Sequence, residues 1–505
     1  MFKAPSSSLD QTKIKQKIYG CWLGKAIGGT LGGPHEGKQG PLSLTYYDPV
    51  PTSVLPNDDL DLQVVWLCYL LNHGSKEVTP DVLSDAWHQH VVFPWDEYGV
   101  CHRNGAYGLK GYRLGSVDNF FSECMGAAIR SELWACLAPG QPERAAAFAW
   151  ADAACDHAGD GIWAEIFFAT IESAAFTESN PDKLIELGLS FLPVNSRVKD
   201  AIQLALVSWS AKRDWRAART DILAAYENPN FTDVAANLAF TILGLLAGEG
   251  DFGKSICIAA NCGMDVDCTA STLGALLGII DPRGIPELWR KPVGESVVLN
   301  PQIVRLQNIP KNLKELTEQT MRLANQLAAS KPVINEIVPR SPQSAGDPTL
   351  QIPVEMGFSE RGALAGCNAP ISITPTVATT LPGHWIRRNS RDFEAPVMLL
   401  RYTLRLKETK SVQLLAWSQT ATRVWIDGAK AAPVSPDPIC SRRAQEGAPS
   451  FHRGGNGHFG VDHPLAVGEH ELVIAWEWPP FQADLVVGVA DAESKQWLPF
   501  ALLKA

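Results

Sequence analysis

The sequence predicts a multidomain chain: an all-α helical bundle over residues 1–335, a linker over 336–350, and an antiparallel β-sandwich of jelly-roll type over 351–505. Three observations carry this. Up to about residue 330 the apolar residues recur at helical spacing in Ala- and Leu-rich stretches. The segment "SKPVINEIVPRSPQSAGDPTLQIP" then has prolines, polar residues and no period, as a linker does. Beyond it "MLLRYTLRL", "SVQLLAWSQ", "TRVWIDG", "HELVIAWEW" and "DLVVGVA" alternate apolar and polar residues between turn-forming Gly, Asp and Pro, the pattern of a sandwich.

In chain order, the first helix is "IYGCWLGKAIGGTLGGPHEGK", with glycines at 20, 24, 28, 29, 32 and 33. Each glycine inside a helix costs ~1 kcal/mol against alanine, which a backbone lying close to a ligand or to another helix would offset. Glu36 closes the stretch at a turn. "PNDDLDLQVVWL" puts Asp58, Asp59 and Asp61 at the start of an apolar helix. "GDGIWAEIFFATIESAAF" and "DVAANLAFTILGLLAGEG" are apolar on nearly all sides, so they are central helices of a large bundle. "NCGMDVDCTASTLGALLG" sets Asp265 and Asp267 just before another such helix. "PQIVRLQNIPKNLKELTEQTMRLANQLAAS" reads as a last, more polar helix split near Pro310.

Composition excludes several classes. Of 505 residues 46% are apolar and 19% charged, the balance of a folded protein with a large core. A net charge of -10 without a basic block argues against nucleic acid as partner. The N-terminus has no apolar signal core, and no run of 18 apolar residues exists to span a membrane. The 11 cysteines are scattered without a C-x-x-C pair, so neither a zinc site nor a disulfide framework is indicated. Reduced thiols and a cytoplasmic location are expected.

The acidic pairs carry the chemistry. Carboxylates ahead of a helix can be plain caps. Two clusters, each opening a buried helix, would place four or five carboxylates at one point if the helix starts meet. Such a point repels itself unless cations lie in it, and oxygen-rich clusters are what hard cations require.

Together these segments resemble the ADP-ribosylglycohydrolase family, which includes the dinitrogenase reductase-activating glycohydrolases. The Gly-rich helix leading to a Pro-x-Glu turn is matched by Gly28 to Glu36. The Thr/Ser-Asp-Asp motif is matched by Asn57, Asp58 and Asp59, and Gly-x-Asp-Thr-Asp-Thr by Gly263, Asp265, Asp267 and Cys268. The middle, including Asp156–His157, is similar as well, and the resemblance covers roughly residues 15 to 282. It implies an all-α fold with two Mg²⁺ ions between helices (Ca²⁺ or Mn²⁺ being alternatives) and a ribose bound over them. Carried across, Asn57, Asp58, Asp59, Asp265, Asp267 and Cys268 are metal-site residues. Glu36 and Asp59 are catalytic carboxylates, and His157, Gly33 and Asn119 contact substrate. Two positions depart from the pattern. Asn57 replaces a Thr or Ser, its amide oxygen being able to ligate. Cys268 replaces a Thr, and because a neutral thiol is a poor Mg²⁺ ligand, Thr269, a backbone carbonyl or water stands in as donor.

The expected function is therefore Mg²⁺-dependent hydrolysis of a glycosidic bond at an anomeric carbon, on a small-molecule or protein-linked ADP-ribosyl or related furanoside substrate. Two alternatives are a glycoside hydrolase acting on another sugar conjugate with the same fold, and a crystallin-like member without catalysis. Oligomeric state is not legible in the sequence.

Overall fold

The computed structural model describes residues 10–93, 96–228, 230–332, 352–359, 377–381, 383–388, 397–418, 422–431, 433–434, 461–477, 483–494 and 496–500; the expected linker at 336–350 lies outside them. The chain divides into two compact units. One joins Met1–Val91 to Ser122–Pro339, and the other joins Val92–Phe121 to Arg340–Ala505. Residues 92–121, inside the stretch read as helical bundle, thus pack with the strands.

The described helices, in chain order, are α1 (Gln11–Gly32), α2 (Asp58–Asn72), α3 (Pro80–His90), α4 (Asp96–Ala106), α5 (Arg113–Ser116), α6 (Ser131–Leu137), α7 (Pro142–Asp156) and α8 (Asp160–Ala174). They continue with α9 (Pro181–Ser190), α10 (Arg197–Lys212), α11 (Trp215–Tyr226), α12 (Val234–Ala247), α13 (Phe252–Asn261), α14 (Val266–Ile280), α15 (Glu287–Val293) and α16 (Leu313–Gln326). Side-chain caps set many of the starts. Asn57 accepts from the Asp59 N–H, Ser196 from Lys199, Asp233 from Ala235 and Asp251 from Lys254, each worth about 1 kcal/mol against alanine. As their all-round apolarity requires, α8, α12 and α14 are buried along almost their whole length.

The last helix differs from expectation. Helix begins only at Leu313, capped by Asn312, and residues 300–311 are not helical. The competing force is tertiary. The Asn300 N–H and amide both donate to Asp61 (3.1 and 2.8 Å), and the Val304 N–H donates to the His90 carbonyl, pinning the segment outside helical geometry.

The glycines of α1 serve another helix. A Cβ on Gly20, Gly24 or Gly28 would overlap the carbonyl oxygen of Gly278, Gly274 or Ala270, and one on Gly32 would overlap the Asp267 backbone. Steps of four along α1 therefore match steps of three or four backward along α14, so the two helices lie antiparallel at backbone contact. The same contact sets the end of α1 against the start of α14.

In the second unit the described strands are β1 (Ile352–Ser359), β2 (Val377–Leu381), β3 (Trp385–Arg388), β4 (Val397–Leu406), β5 (Lys410–Ser418), β6 (Thr422–Ile426), β7 (Ala429–Ala431), β8 (Pro433–Val434), β9 (His463–Leu465), β10 (Gly468–Glu477), β11 (Ala483–Asp491) and β12 (Trp497–Leu498). One sheet has the order β2-β1-β4-β10-β6-β7. The other runs β12-β11-β5-β8, with β3 on β11 and β9 on β5. Pairing is antiparallel except between β5 and β8. Met398, Leu400, Tyr402, Ile474 and Trp476 of the first sheet share a core with Leu414, Leu485, Val487 and Val489 of the second, which makes the pair a sandwich.

Residues 92–121 join that sandwich through buried polar contacts. Asp118 accepts from the His384 and Trp385 N–H groups (2.7 and 3.1 Å) and pairs with Arg103 at 2.9 Å. The Tyr107 hydroxyl lies 2.9 Å from His384 Nε2 and accepts from the Phe500 N–H. No described helix is long and apolar enough to cross a membrane.

Candidate active site

Three segments of the first unit meet at one acidic centre. The α1–α14 contact delivers Glu36, just past a 3-10 turn at Gly33–His35, beside Asp265 and Asp267. Gly29 leaves room for Asn57, whose side chain a Cβ there would crowd at 2.8 Å, and so admits the start of α2 with Asp58 and Asp59. Two helix N-termini, of α2 and α14, then point their partial positive charge at the same place.

Two loops are stitched together to hold this geometry. The Gly37 N–H donates to the Met264 carbonyl (2.9 Å), and the Met264 N–H donates to the Lys38 carbonyl (2.7 Å). Met264 has φ +68, the left-handed region that a branchless residue prefers, immediately before Asp265. Arg219, buried, donates to the carbonyls of Cys262 (2.7 Å) and Gln39, one on each loop. Asp265 occupies the cap position of α14 but makes no capping bond, so its carboxylate is not used to start the helix.

The inner side of the centre is dry and paired. Asp59, 1% exposed, accepts from the Ser271 hydroxyl and from the Cys268 thiol (3.3 Å), and lies 3.2 Å from the Lys25 ammonium. Lys25 also contacts Glu132 at 2.8 Å and donates to the Ile129 carbonyl at 2.8 Å. Gln63 donates to the other Glu132 oxygen (2.8 Å). Burial opposes the lysine's charge, but Asp59 and Glu132 outweigh it and hold the ammonium above its ordinary range.

The outer side is acidic. Burial, then Glu36, then Asp265, Asp59 and Asp58, push Asp267 well above the usual carboxylate range; burial and Glu36 do the same to Asp265. Oxygens of Asp59 and Asp267 and the Cys268 sulfur lie within 4.8 Å of one another. Asp267 receives one hydrogen bond, from the Asn57 amide (3.1 Å), while its Oδ1 is buried with no hydrogen-bond partner. A buried carboxyl oxygen with no hydrogen-bond partner among crowded acids suits a hard cation, so the residues present fit the metal that the motifs imply.

The remaining expected residues fall as follows. The Asn57 oxygen is taken by the Asp59 N–H (2.7 Å), so this side chain turns its amide nitrogen toward Asp267. Cys268 is held as a thiol by burial and by the surrounding aspartates. Thr269, the alternative donor, turns its hydroxyl back to the Val266 carbonyl. Gly33 is half-buried at the turn before Glu36, and a Cβ there would meet only Leu55 at 3.9 Å. His157 is fully buried. Its Nδ1 contacts Asp156 at 2.7 Å and carries the hydrogen, because a carboxylate only accepts. Against burial, Arg130 (2.8 Å to each oxygen) and His157 hold Asp156 down to about 2. Asn119 lies in the segment that packs with the strands, donating to the Gly115 carbonyl and accepting from the Phe121 N–H, both 2.9 Å. Asp61 faces Asn300, as its place outside the motif leads one to expect.

Sequence reading missed Lys25, Gln63, Glu132, Ser271 and Arg219. Lys25 carried a signal, being the one charge inside the apolar, glycine-rich core of its helix, and Ser271 follows Asp267 by four residues on the same helical face. Glu132 is 107 residues from Lys25 and no local pattern marks it.

A solved structure titled "ADP-ribosylglycohydrolase-related protein complex" is 19% identical, with a TM-score of 0.43, and the match covers 63% of this chain and 98% of that one. No curated protein matches the sequence. The family profile described as ADP-ribosylglycohydrolase matches residues 10–331. The family is metal-dependent in general and supports a glycosyl-hydrolase type of function. The helical part that carries the acidic centre is matched almost from end to end, and the chain belongs to the ADP-ribosylglycohydrolase family.

Proposed function

We propose that the chain is a Mg²⁺-dependent hydrolase that cleaves the bond between an anomeric carbon and its leaving group on an ADP-ribosyl or closely related furanoside substrate. The observation that carries this reading is the meeting of Glu36, Asp58, Asp59, Asp265 and Asp267 around the buried, unpartnered Asp267 Oδ1. The bound cation supplies positive charge that holds and polarises the vicinal hydroxyls of a sugar.

Each residue has a task that follows from its surroundings. Asp265 and Asp267 sit on the rigid start of α14 and Asp58 on that of α2, so the sugar's position is fixed by two helices rather than by loops. Glu36 is half-buried at a turn, just past a 3-10 segment, and is the carboxyl carried by a loop rather than by a helix. It takes a proton from the attacking water or gives one to the departing atom as the anomeric bond breaks.

The test is release of free sugar from N- and O-linked ADP-ribosyl conjugates and from simple furanosides, followed by proton NMR at the anomeric position. Turnover that needs added Mg²⁺, stops with chelator and is lost in Glu36→Gln supports the proposal. Turnover that persists in chelator, or no turnover of any of these glycosides, overturns it.

A further inference from the structure

The geometry points to a single-cation centre in which the Lys25 ammonium permanently occupies the place of a second ion. The inference rests on the cation-dependent reading above and concerns how many ions the centre takes, where the resemblance implies two.

Asp59 is the carboxylate on which a second ion would depend, and both its oxygens are already partnered. One oxygen accepts from the Ser271 hydroxyl and lies 3.2 Å from Lys25 Nζ; the other accepts from the Cys268 thiol. Lys25 has no freedom to move away. It is 1% exposed, and Glu132 and the Ile129 carbonyl, each at 2.8 Å, hold the ammonium from the far side. Gln63 in turn fixes Glu132 and accepts from the Leu133 N–H at 2.7 Å, so the whole inner wall is cross-braced.

The other groups facing this side are also donors rather than ligands. Asn57 commits its oxygen to the Asp59 N–H and turns its nitrogen to Asp267. The Cys268 sulfur keeps its hydrogen toward Asp59 and, as a neutral thiol, is a poor ligand for a hard cation. A divalent ion bound to Asp59 would displace these bonds and stand beside a buried ammonium in a medium that screens little. An ion on the outer side meets instead Asp267 Oδ1, which is buried with no hydrogen-bond partner, with Glu36, Asp58 and Asp265 around it. Lys25 is then a positioning residue, a fixed charge that keeps Asp59 and the start of α2 in place when the ion is absent.

The full chain, stripped of metal, is titrated with Mn²⁺, and bound ion is counted from the electron paramagnetic resonance signal of the free ion. The wild type should bind one Mn²⁺ per chain. The paired change Lys25→Met with Glu132→Gln removes the ammonium and its balancing charge together, frees Asp59, and should raise the count to two. Two ions in the wild type overturn the single-cation centre but leave the proposed hydrolase standing. No bound ion even at millimolar Mn²⁺ overturns the cation reading itself, and this inference with it. A paired variant that stays at one ion shows that Lys25 is not what excludes the second. Should that variant fail to fold, anomalous diffraction from Mn²⁺-soaked wild-type crystals decides. A single peak bonded to Asp267 and not to Asp59 supports the inference, and a peak bonded to Asp59 overturns it.

Discussion

Gly24 of α1 and Gly274 of α14 lie back to back, and a methyl group on either would overlap the other's carbonyl. The pair is the middle rung of the contact that carries Asp265 and Asp267 to Glu36. Gly274→Ala forces the two helices apart and should cost about 1–3 kcal/mol, the range for overpacking a tight core. Urea unfolding of the full chain measures it. The same variant should weaken Mn²⁺ binding, because α14 holds two of the carboxylates at its start.

Removing one outer carboxylate relieves repulsion among Glu36, Asp58, Asp265 and Asp267 in the metal-free protein. Asp265→Asn or Asp58→Asn should therefore keep or raise the melting temperature in chelator, while the further rise on adding Mg²⁺ shrinks. A large fall in chelator would mark these side chains as structural.

The buried acids set a pH dependence whose sign follows from their shifts. Asp265 and Asp267 are raised by burial and by Glu36, and Glu165 and Glu172 by burial and neighbouring acids. Groups raised in the folded state add stability that is complete below the unfolded value of about 4 and lost as pH climbs through the folded values. Asp156, held at about 2, works the other way, losing its contribution as pH falls from about 4 toward 2. Without metal, the melting temperature should peak in mildly acidic solution and decline toward about pH 8. Saturating Mg²⁺ should reduce the part of the alkaline decline that Asp265 and Asp267 cause and leave the part due to Glu165 and Glu172, as calorimetry across that range would record.

Arg219 bridges the carbonyls of Gln39 and Cys262 through two nitrogens of one rigid guanidinium, a spacing that a lysine's single ammonium does not reproduce. Arg219→Lys should loosen the two loops that carry Glu36 and Asp265, at a cost of about 1.5–3 kcal/mol for a lost charge-assisted bond. KM and Mn²⁺ affinity should suffer, with far-ultraviolet circular dichroism unchanged.

A chain ending at residue 335 loses more than a terminal module. Asp118, Arg103 and Tyr107 lose the partners that fix residues 92–121, among them the His384 and Trp385 N–H groups. Hydrogen exchange should show protection falling over 96–121 in the shortened chain, while α1 and α14 stay protected.

The parts legible in the sequence were those set by neighbours in the chain. Asn57 beside Asp58 and Asp59 announces a helix start because capping is local, and the apolar run after Asp265 announces another. Alternation through "MLLRYTLRL" announces a strand for the same reason. What stayed hidden was pairing across distance. The glycines of α1 said that something comes close, but only the fold shows that it is Gly274 and Gly278. Lys25 looked like an interruption until Asp59 and Glu132 closed around it. Asn300 left no trace of its bond to Asp61 or of the helix that this bond prevents.

Residues 92–121 have a consequence for how the chain is made. Tyr107 and its partner His384 are 277 residues apart. At about 5–20 residues per second, a ribosome takes roughly 15–55 s to supply that partner after Tyr107 has been made. Throughout that interval Arg103, Asp118 and the apolar side of α4 wait without a sheet, while α6 to α16 emerge around them. The helical unit must therefore close with an unfinished loop of some thirty residues between Val91 and Ser122. The residues of that loop belong to a unit completed only when β12 arrives.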